Sequence, residues 1–197
     1  EEVWMTDGTS AGTQMILQAA NSNEYFRMAP HNGKALITRK NASTNSTGLY
    51  DHNGIMTQDL NDNIAIDHYG KEKVLEHNGL TYFVGKDETN TTGYEPFVFD
   101  GTDIVLLKNT DGGMDDSFPS HYTAANDGKV YFITTLPGHQ KLYSTDGTTG
   151  STVEVLDIET ATSQADIYPT TFYAKGTSGI MMAFNHFNSN NLLLHYN

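Results

Sequence analysis

Residues 8–12, Gly8-Thr9-Ser10-Ala11-Gly12, carry the G-x-S-x-G spacing of a serine nucleophile elbow. That chemistry needs the serine on a sharp strand-to-helix turn. No helical pattern follows here, so the segment reads as a β-turn and the serine carries no catalytic assignment. Eight histidines raise the question of a metal, but none stands at the H-x-x-x-H spacing of a zinc site. His31 and His77 each precede Asn-Gly, so they occupy equivalent positions of a repeat rather than one ion's shell. Two acidic segments crowd oxygen ligands around turn residues. They are Asp59 with Asp62, and Asp111 with Asp115 and Asp116. Such crowding suits Ca²⁺, though neither segment has the spacing of a twelve-residue calcium loop, and solvated acidic turns explain them as well. No other cofactor is implied, and no motif pairs a nucleophile with a base.

Other residues suggest binding or modification. Tyr25, Phe26, Tyr69, Tyr94, Tyr122, Phe172 and Tyr173 fall near strand starts, where aromatic rings can stack on sugars or pack as core. Asn41, Asn45 and Asn90 each open an N-x-[ST] sequon. All three sequons are expected in loops on one face of the molecule.

Lys plus Arg number 11 against 24 Asp plus Glu, a net charge of −13 that repels nucleic acid and anionic membranes. No apolar run reaches the ~18 residues of a membrane-spanning helix. There is no cysteine, and Thr with Asn make up 42 of the 197 residues, a balance of strand and turn formers. The chain opens on Glu1-Glu2-Val3-Trp4, which suggests a mature or excised product. Together these point to an all-β protein working outside the cell.

The elements that must position any site come from a repeat. An apolar stretch ending in Asp-Gly or Asn-Gly recurs at Gly8, Gly54, Gly101 and Gly147, at spacings of 46, 47 and 46. A turn glycine before a strand recurs at Gly33, Gly79, Gly128 and Gly179, at spacings of 46, 49 and 51. Each unit contains four short strands, in the first full unit roughly 25–31, 34–40, 48–52 and 55–60. The second strands are apolar on consecutive residues, as in Tyr82-Phe83-Val84, so both faces must be covered. Four-stranded units of this period are propeller blades, whereas a β-sandwich has no such fixed period. The expectation is one β-propeller domain of about four blades. Its units are 21–62, 63–110, 111–164, and 1–20 joined with 165–197.

Residues 3–13, Val-Trp-Met-Thr-Asp-Gly-Thr-Ser-Ala-Gly-Thr, resemble the signature of the ELWxxDGT-repeat (hyalin-like) proteins. Residues 141–152 resemble it again, and 106–133 is similar to the family's linker. The second and third anchors lack the trailing Gly-Thr. The resemblance implies a β-propeller-like module of large exported microbial surface proteins, with no catalytic residues and no agreed ligand.

The expected strands number seventeen, one more than four blades of four require. Val3 and Trp4 at one end, and Leu192, Leu193, Leu194 and Tyr196 at the other, form apolar strands of which one lacks a place in a closed ring. An exposed apolar edge pairs with something or aggregates. The leading expectation is a non-enzymatic extracellular structural subunit that self-assembles by strand addition into a filament or surface layer. The alternatives are a glycan-binding adhesion propeller, a module excised from a longer repeat protein, and a mere tail at 191–197.

Overall fold

The computed structural model describes the chain except residues 42–44, 61–62, 68–72, 90–91, 136–139, 164–166, 175–178, 187–188 and 197. It describes the backbone alone at 45, 167–168, 186 and 189–191. Among the described residues the protein is all-β, with eighteen strands, one short helix and five antiparallel sheets in chain order. The first sheet pairs β1 (Glu2–Met5) with β2 (Gln14–Gln18). The second is β3 (Tyr25–His31), β4 (Lys34–Lys40), β5 (Asn45–Tyr50) and β6 (Met56–Asp59). The third holds β7 (Ile64–Asp67), β8 (Val74–His77), β9 (Leu80–Asp87), β10 (Glu95–Phe99) and β11 (Ile104–Leu106). The fourth is β12 (Ser120–Ala124), β13 (Val130–Ile133), β14 (Lys141–Thr145) and β15 (Val153–Asp157). Helix α1 (Ile158–Thr162) leads to the fifth, which is β16 (Ile167–Ala174), β17 (Ile180–His186) and β18 (Ser189–Tyr196).

Each of the three middle sheets is a run of hairpins. Asn32-Gly33 and Asn78-Gly79 turn β3 into β4 and β8 into β9, and all four residues have positive φ. That is the two-residue turn whose twist suits adjoining antiparallel strands. The eight repeat glycines named above all have positive φ.

Four apolar clusters hold consecutive sheets together. Val3, Phe26, Ile37 and Tyr50 join the first to the second. Ala29, Leu36, Phe83 and Phe97 belong to the cluster of the second and third. Tyr82, Val84, Phe132 and Tyr143 belong to that of the third and fourth. Tyr131, Ile133, Met182 and Phe184 belong to that of the fourth and fifth. None of the four contains residues of both the first and the fifth sheet.

Within this stack, each residue of a second strand faces the sheet before or the sheet after by parity. Ile37, Phe83 and Phe132 face back. Leu36, Tyr82 and Tyr131 face forward. Counted from Gly33, Gly79 and Gly128, the facing is the same in all three sheets. The fifth sheet breaks step. Ile180, Met182 and Phe184 face back onto the fourth, whereas counting from Gly179 would turn Met181 and Ala183 that way. The last repeat is therefore offset by one residue from Gly179, and a one-residue slip exchanges every side chain between faces.

Other differences are local. The first strand of the third sheet comes in two pieces, because both β7 and β8 pair with β9, over Val84–Asp87 and Leu80–Phe83. Helix α1 has no periodicity to announce it. It is held by Asp157, which accepts from the Thr160 N–H at 2.8 Å, and by Ile158, which is buried. The expected loop 41–47 ends early, since β5 begins at Asn45 and Thr47 is buried. No ladder joins β1–β2 to β16–β18 among the described residues.

Buried hydroxyls and one histidine tie the second sheet to the third. Thr38 and Thr47 both donate to the Ile64 carbonyl, at 3.2 and 3.0 Å. Thr81 donates to the Pro30 carbonyl at 2.7 Å, and His31 Nδ1 lies 3.0 Å from the same hydroxyl. Since Thr81 spends its one proton on Pro30, His31 Nδ1 is the donor and Nε2 faces the Asn32 amide at 3.2 Å. This is the neutral tautomer, in keeping with a His31 pKa lowered mainly by burial, against the pull of Glu76 and Asp100.

The repeat aspartates work as turn acceptors. Asp7 is lowered below the ordinary 3.8 first by the Thr9 hydroxyl, Asp51 by the Ile55 N–H, Asp100 by the Asp103 N–H and Asp146 by the Ser151 hydroxyl. An acid with a depressed folded pKa contributes stability above its unfolded value, and that contribution is lost as pH falls through the folded one. Buried neutral His31 has the same sign. Its contribution is present above 6.5 and is lost on acidification through its lowered folded value. Stability should therefore fall in two stages, below 6.5 and again below 3.8. Urea midpoints at about pH 7 and pH 5 check the first stage, which His31→Gln should flatten.

Candidate binding site between the second and third sheets

A cavity of about 250 Å³ opens where β3 and β4 meet β7. Its lining is Tyr25, Arg27, Thr38, Lys40, Ala65, Ile66, Asp67 and Tyr94. Tyr25 and Arg27 are two apart on β3 and share a face. Their cross-strand partners are Lys40 and Thr38. The β3–β4 register thus sets one ring and two cations around the opening, and Tyr94, just before β10, adds the second ring.

Each cation there has a partner. The Arg27 guanidinium lies 4.2 Å from the Tyr25 ring centre, donates to the Phe26 carbonyl at 2.9 Å and is 3.8 Å from Glu1. Lys40 pairs with Glu88. Burial works against the Lys40 ammonium, but Glu88 outweighs it and the pKa is raised. Lys73 meets Asp67 at 2.6 Å. Lys86 sits 5.4 Å over the Tyr94 ring and 4.0 Å from Asp116. In a chain of net charge −13 the opening is charge-balanced, with donors, acceptors and two aromatic faces.

Tyr94 is fixed from behind. Its N–H donates to Asp116 at 2.9 Å, and its carbonyl accepts from Ser117 and Phe118 N–H groups at 3.1 and 3.2 Å. The Phe118 ring stacks on it at 5.5 Å, from a backbone with φ 43°. The Tyr94 pKa is raised, first by burial and then by Asp67. Next along the chain Glu95 is fully buried. Its Oε2 accepts from the Thr110 N–H at 3.0 Å, the Thr110 hydroxyl at 2.8 Å and the Ser117 hydroxyl at 2.8 Å. Its Oε1 has no hydrogen-bond partner, and burial pushes its pKa up.

Of the aromatics singled out in the sequence, Tyr25 and Tyr94 meet at this cavity. Phe26 and Tyr122 are core, Phe172 packs against the cluster of the last two sheets, and Tyr173 is exposed. Tyr69 lies outside the described residues. Sequence reading missed Arg27, Lys40 and Asp67. For Arg27 and Lys40 the signal was the rarity of cations in this chain and their place beside Tyr25 on one hairpin; Asp67, one of many acids, had none.

The acidic segments do separate work. Asp116 caps Tyr94, and Asp111 accepts from the Gly113 N–H at 2.9 Å. Asp115 is exposed, Asp59 ends β6 and Asp62 lies outside the described residues. Among the described residues no three His, Asp or Glu side chains are grouped to hold a metal ion. His31 and His77 stand in neighbouring sheets, as their repeat positions require. The segment around Ser10 connects β1 to β2, and Asp7 binds the Thr9 N–H across it at 2.8 Å. Asn41 is half-buried before the undescribed 42–44, Asn45 opens β5, and Asn90 lies outside the described residues.

The expected assembly residues do not form one patch. Val3 is buried against the second sheet, and Leu192, Leu194 and Tyr196 pack against the fourth. Only Trp4 and Leu193 are exposed. Alternation explains the split, because neighbouring residues of a strand face opposite ways.

No protein-family model matches the chain, and comparison with curated proteins gives no match. The class is therefore carried by the fold, an all-β protein of antiparallel sheets packed face to face.

A buried carboxylate with a raised pKa contributes stability below its unfolded value that is lost as pH rises through the folded one. Glu95→Gln keeps the acceptor and removes the charge, so stability at neutral pH should stay within about 1 kcal/mol of the parent or rise. Glu95→Ala strands the Thr110 and Ser117 donors and should cost about 1–3 kcal/mol. Urea denaturation of the two variants measures the contrast.

Proposed function

We propose that the chain is a β-propeller-type repeat module of about four blades, of the ELWxxDGT kind. Its role is that of a non-enzymatic, extracellular structural subunit that assembles with copies of itself. The observation that carries this reading is the pair of terminal sheets. The third strands β5, β10 and β14 pair on both sides, whereas among the described residues β1 pairs with β2 alone and β18 with β17 alone, so each presents an edge that the middle sheets cover. Unpaired edges recruit other strands unless they are blocked. The fixed period, the positive φ at all eight repeat glycines and the two-faced second strands support the propeller form. Net charge −13 and the sequons at Asn41, Asn45 and Asn90 support an exterior location.

Sedimentation velocity over a concentration series, with electron microscopy of the most concentrated sample, tests assembly. Growing species and ordered filaments or rings are expected. A single 21.7 kDa species at every concentration would end this reading.

A second reading has its own observation, the cavity between Tyr25 and Tyr94. Two rings with balanced charges suit one neutral, polyhydroxylated sugar unit more than an anion, which the acidic chain repels. Saturation-transfer NMR with methyl glycosides of glucose, galactose and N-acetylglucosamine is the direct measurement. Transfer from at least one glycoside is expected, lost in Tyr94→Ala with folding checked by circular dichroism. Silence from all three removes the sugar reading.

A further inference from the structure

Three inner sheets meet the sheet before them in the same way. Four residues before each repeat glycine stands an aromatic, Tyr50, Phe97 or Tyr143, and each is buried in the cluster it shares with the preceding sheet. The glycine itself abuts that same neighbour. A Cβ at Gly54 would lie 2.7 Å from Ile16 of β2, at Gly101 3.2 Å from the His31 ring of β3, and at Gly147 2.4 Å from Leu80 of β9.

The first sheet carries the same two residues, Trp4 and Gly8, at the same spacing. Here Trp4 is 57% exposed, and a Cβ at Gly8 would meet nothing within 4 Å. Met15, the cross-strand partner of Trp4, is exposed beside it. The indole N–H already donates to Glu2 at 2.8 Å, so covering the ring would leave no unsatisfied donor. This face is built like three buried ones and is uncovered.

At the other end of the stack the forward face of the fifth sheet is also uncovered. Tyr173 pairs with Met181, and Ala183 with Leu193. Their strand neighbours Ile180, Met182 and Phe184 face the fourth sheet, so these four residues face away from it. Tyr173 and Leu193 are each 64% exposed.

We propose that these two faces are halves of one interface, and that the occupant of each is a second copy of the chain. The fifth sheet of one protomer covers Trp4 of the next. The contact continues the series of sheet-on-sheet interfaces inside the protomer, with Trp4 in the place of Tyr50, Phe97 and Tyr143. The proposal rests on the self-assembly reading and adds that the contact is face to face rather than edge to edge. Because the two faces differ, the contact is head to tail and does not saturate in a dimer.

Trp4 is the only tryptophan, so its emission reports this face directly. Over a concentration series the emission should shift to the blue in step with sedimentation. Trp4→Ser and Leu193→Asp should each weaken self-association on the order of thirtyfold, as loss of a central anchor does. Both positions are exposed, so circular dichroism should show each variant folded. Mixed together, the two variants retain one sound face apiece and should give a heterodimer of twice 21.7 kDa that grows no further. If the protein associates while Trp4 emission stays fixed and Trp4→Ser assembles like the parent, the face contact is wrong and edge pairing stands. If nothing associates at any concentration, both the contact and the self-assembly reading fall.

Discussion

The structure depends on strands that must be covered on both faces. Ordering a residue's backbone costs roughly 1–2 kcal/mol, and fully burying one large apolar side chain returns roughly 1.5–3 kcal/mol. A four-residue strand such as Val130–Ile133, apolar on one face only, would come close to break-even. Covered on both faces, as it is here, it is strongly favourable, and all four of its residues are buried. A sheet with such a strand needs a neighbour in front and a neighbour behind. Stacking of sheets in chain order follows from that, and so does the exposure of Trp4 and Leu193 wherever a neighbour is not supplied.

Apolar faces alone do not set how one sheet sits on the next, because they can slide. Polar groups placed between them provide the register. Thr38 and Thr47 share the Ile64 carbonyl, Thr81 takes that of Pro30, and the Tyr122 hydroxyl donates to the Phe83 carbonyl at 3.1 Å. Moving any of these sheets by a residue would leave hydroxyls and carbonyls buried without partners, at a cost of about 1–3 kcal/mol each. The wealth of threonine, which at first suggests only strand propensity, has this second use. The repeat aspartates act more locally, closing the turns that deliver the third strand to the fourth.

The candidate functions lie where this scheme is incomplete. Between the second and third sheets a cavity opens, and charged and aromatic side chains line it together with Ala65 and Ile66. At the two ends of the stack, faces of the interior kind meet solvent. The first arrangement suits a small neutral ligand, and the second suits another sheet. Neither draws on Ser10, and of the acidic segments only Asp116 takes part, by holding the Tyr94 backbone.

The sequence by itself determined the strand class, the period, the turn positions and the parity of the second strands, because those depend on residues within a few positions of each other. Asn-Gly needs positive φ wherever it stands, and alternation follows from strand geometry. Tertiary structure alone decided which face each parity meets. It turned Val3, Leu192, Leu194 and Tyr196 inward and Trp4 and Leu193 outward. It offset the last repeat by one residue from Gly179, split the first strand of the third sheet into β7 and β8, and brought Lys40 and Asp67 to the same cavity as Tyr25 and Tyr94. These outcomes rest on contacts between residues tens of positions apart. A strand's pattern states that two faces are apolar, and only the neighbouring sheets state what lies against each.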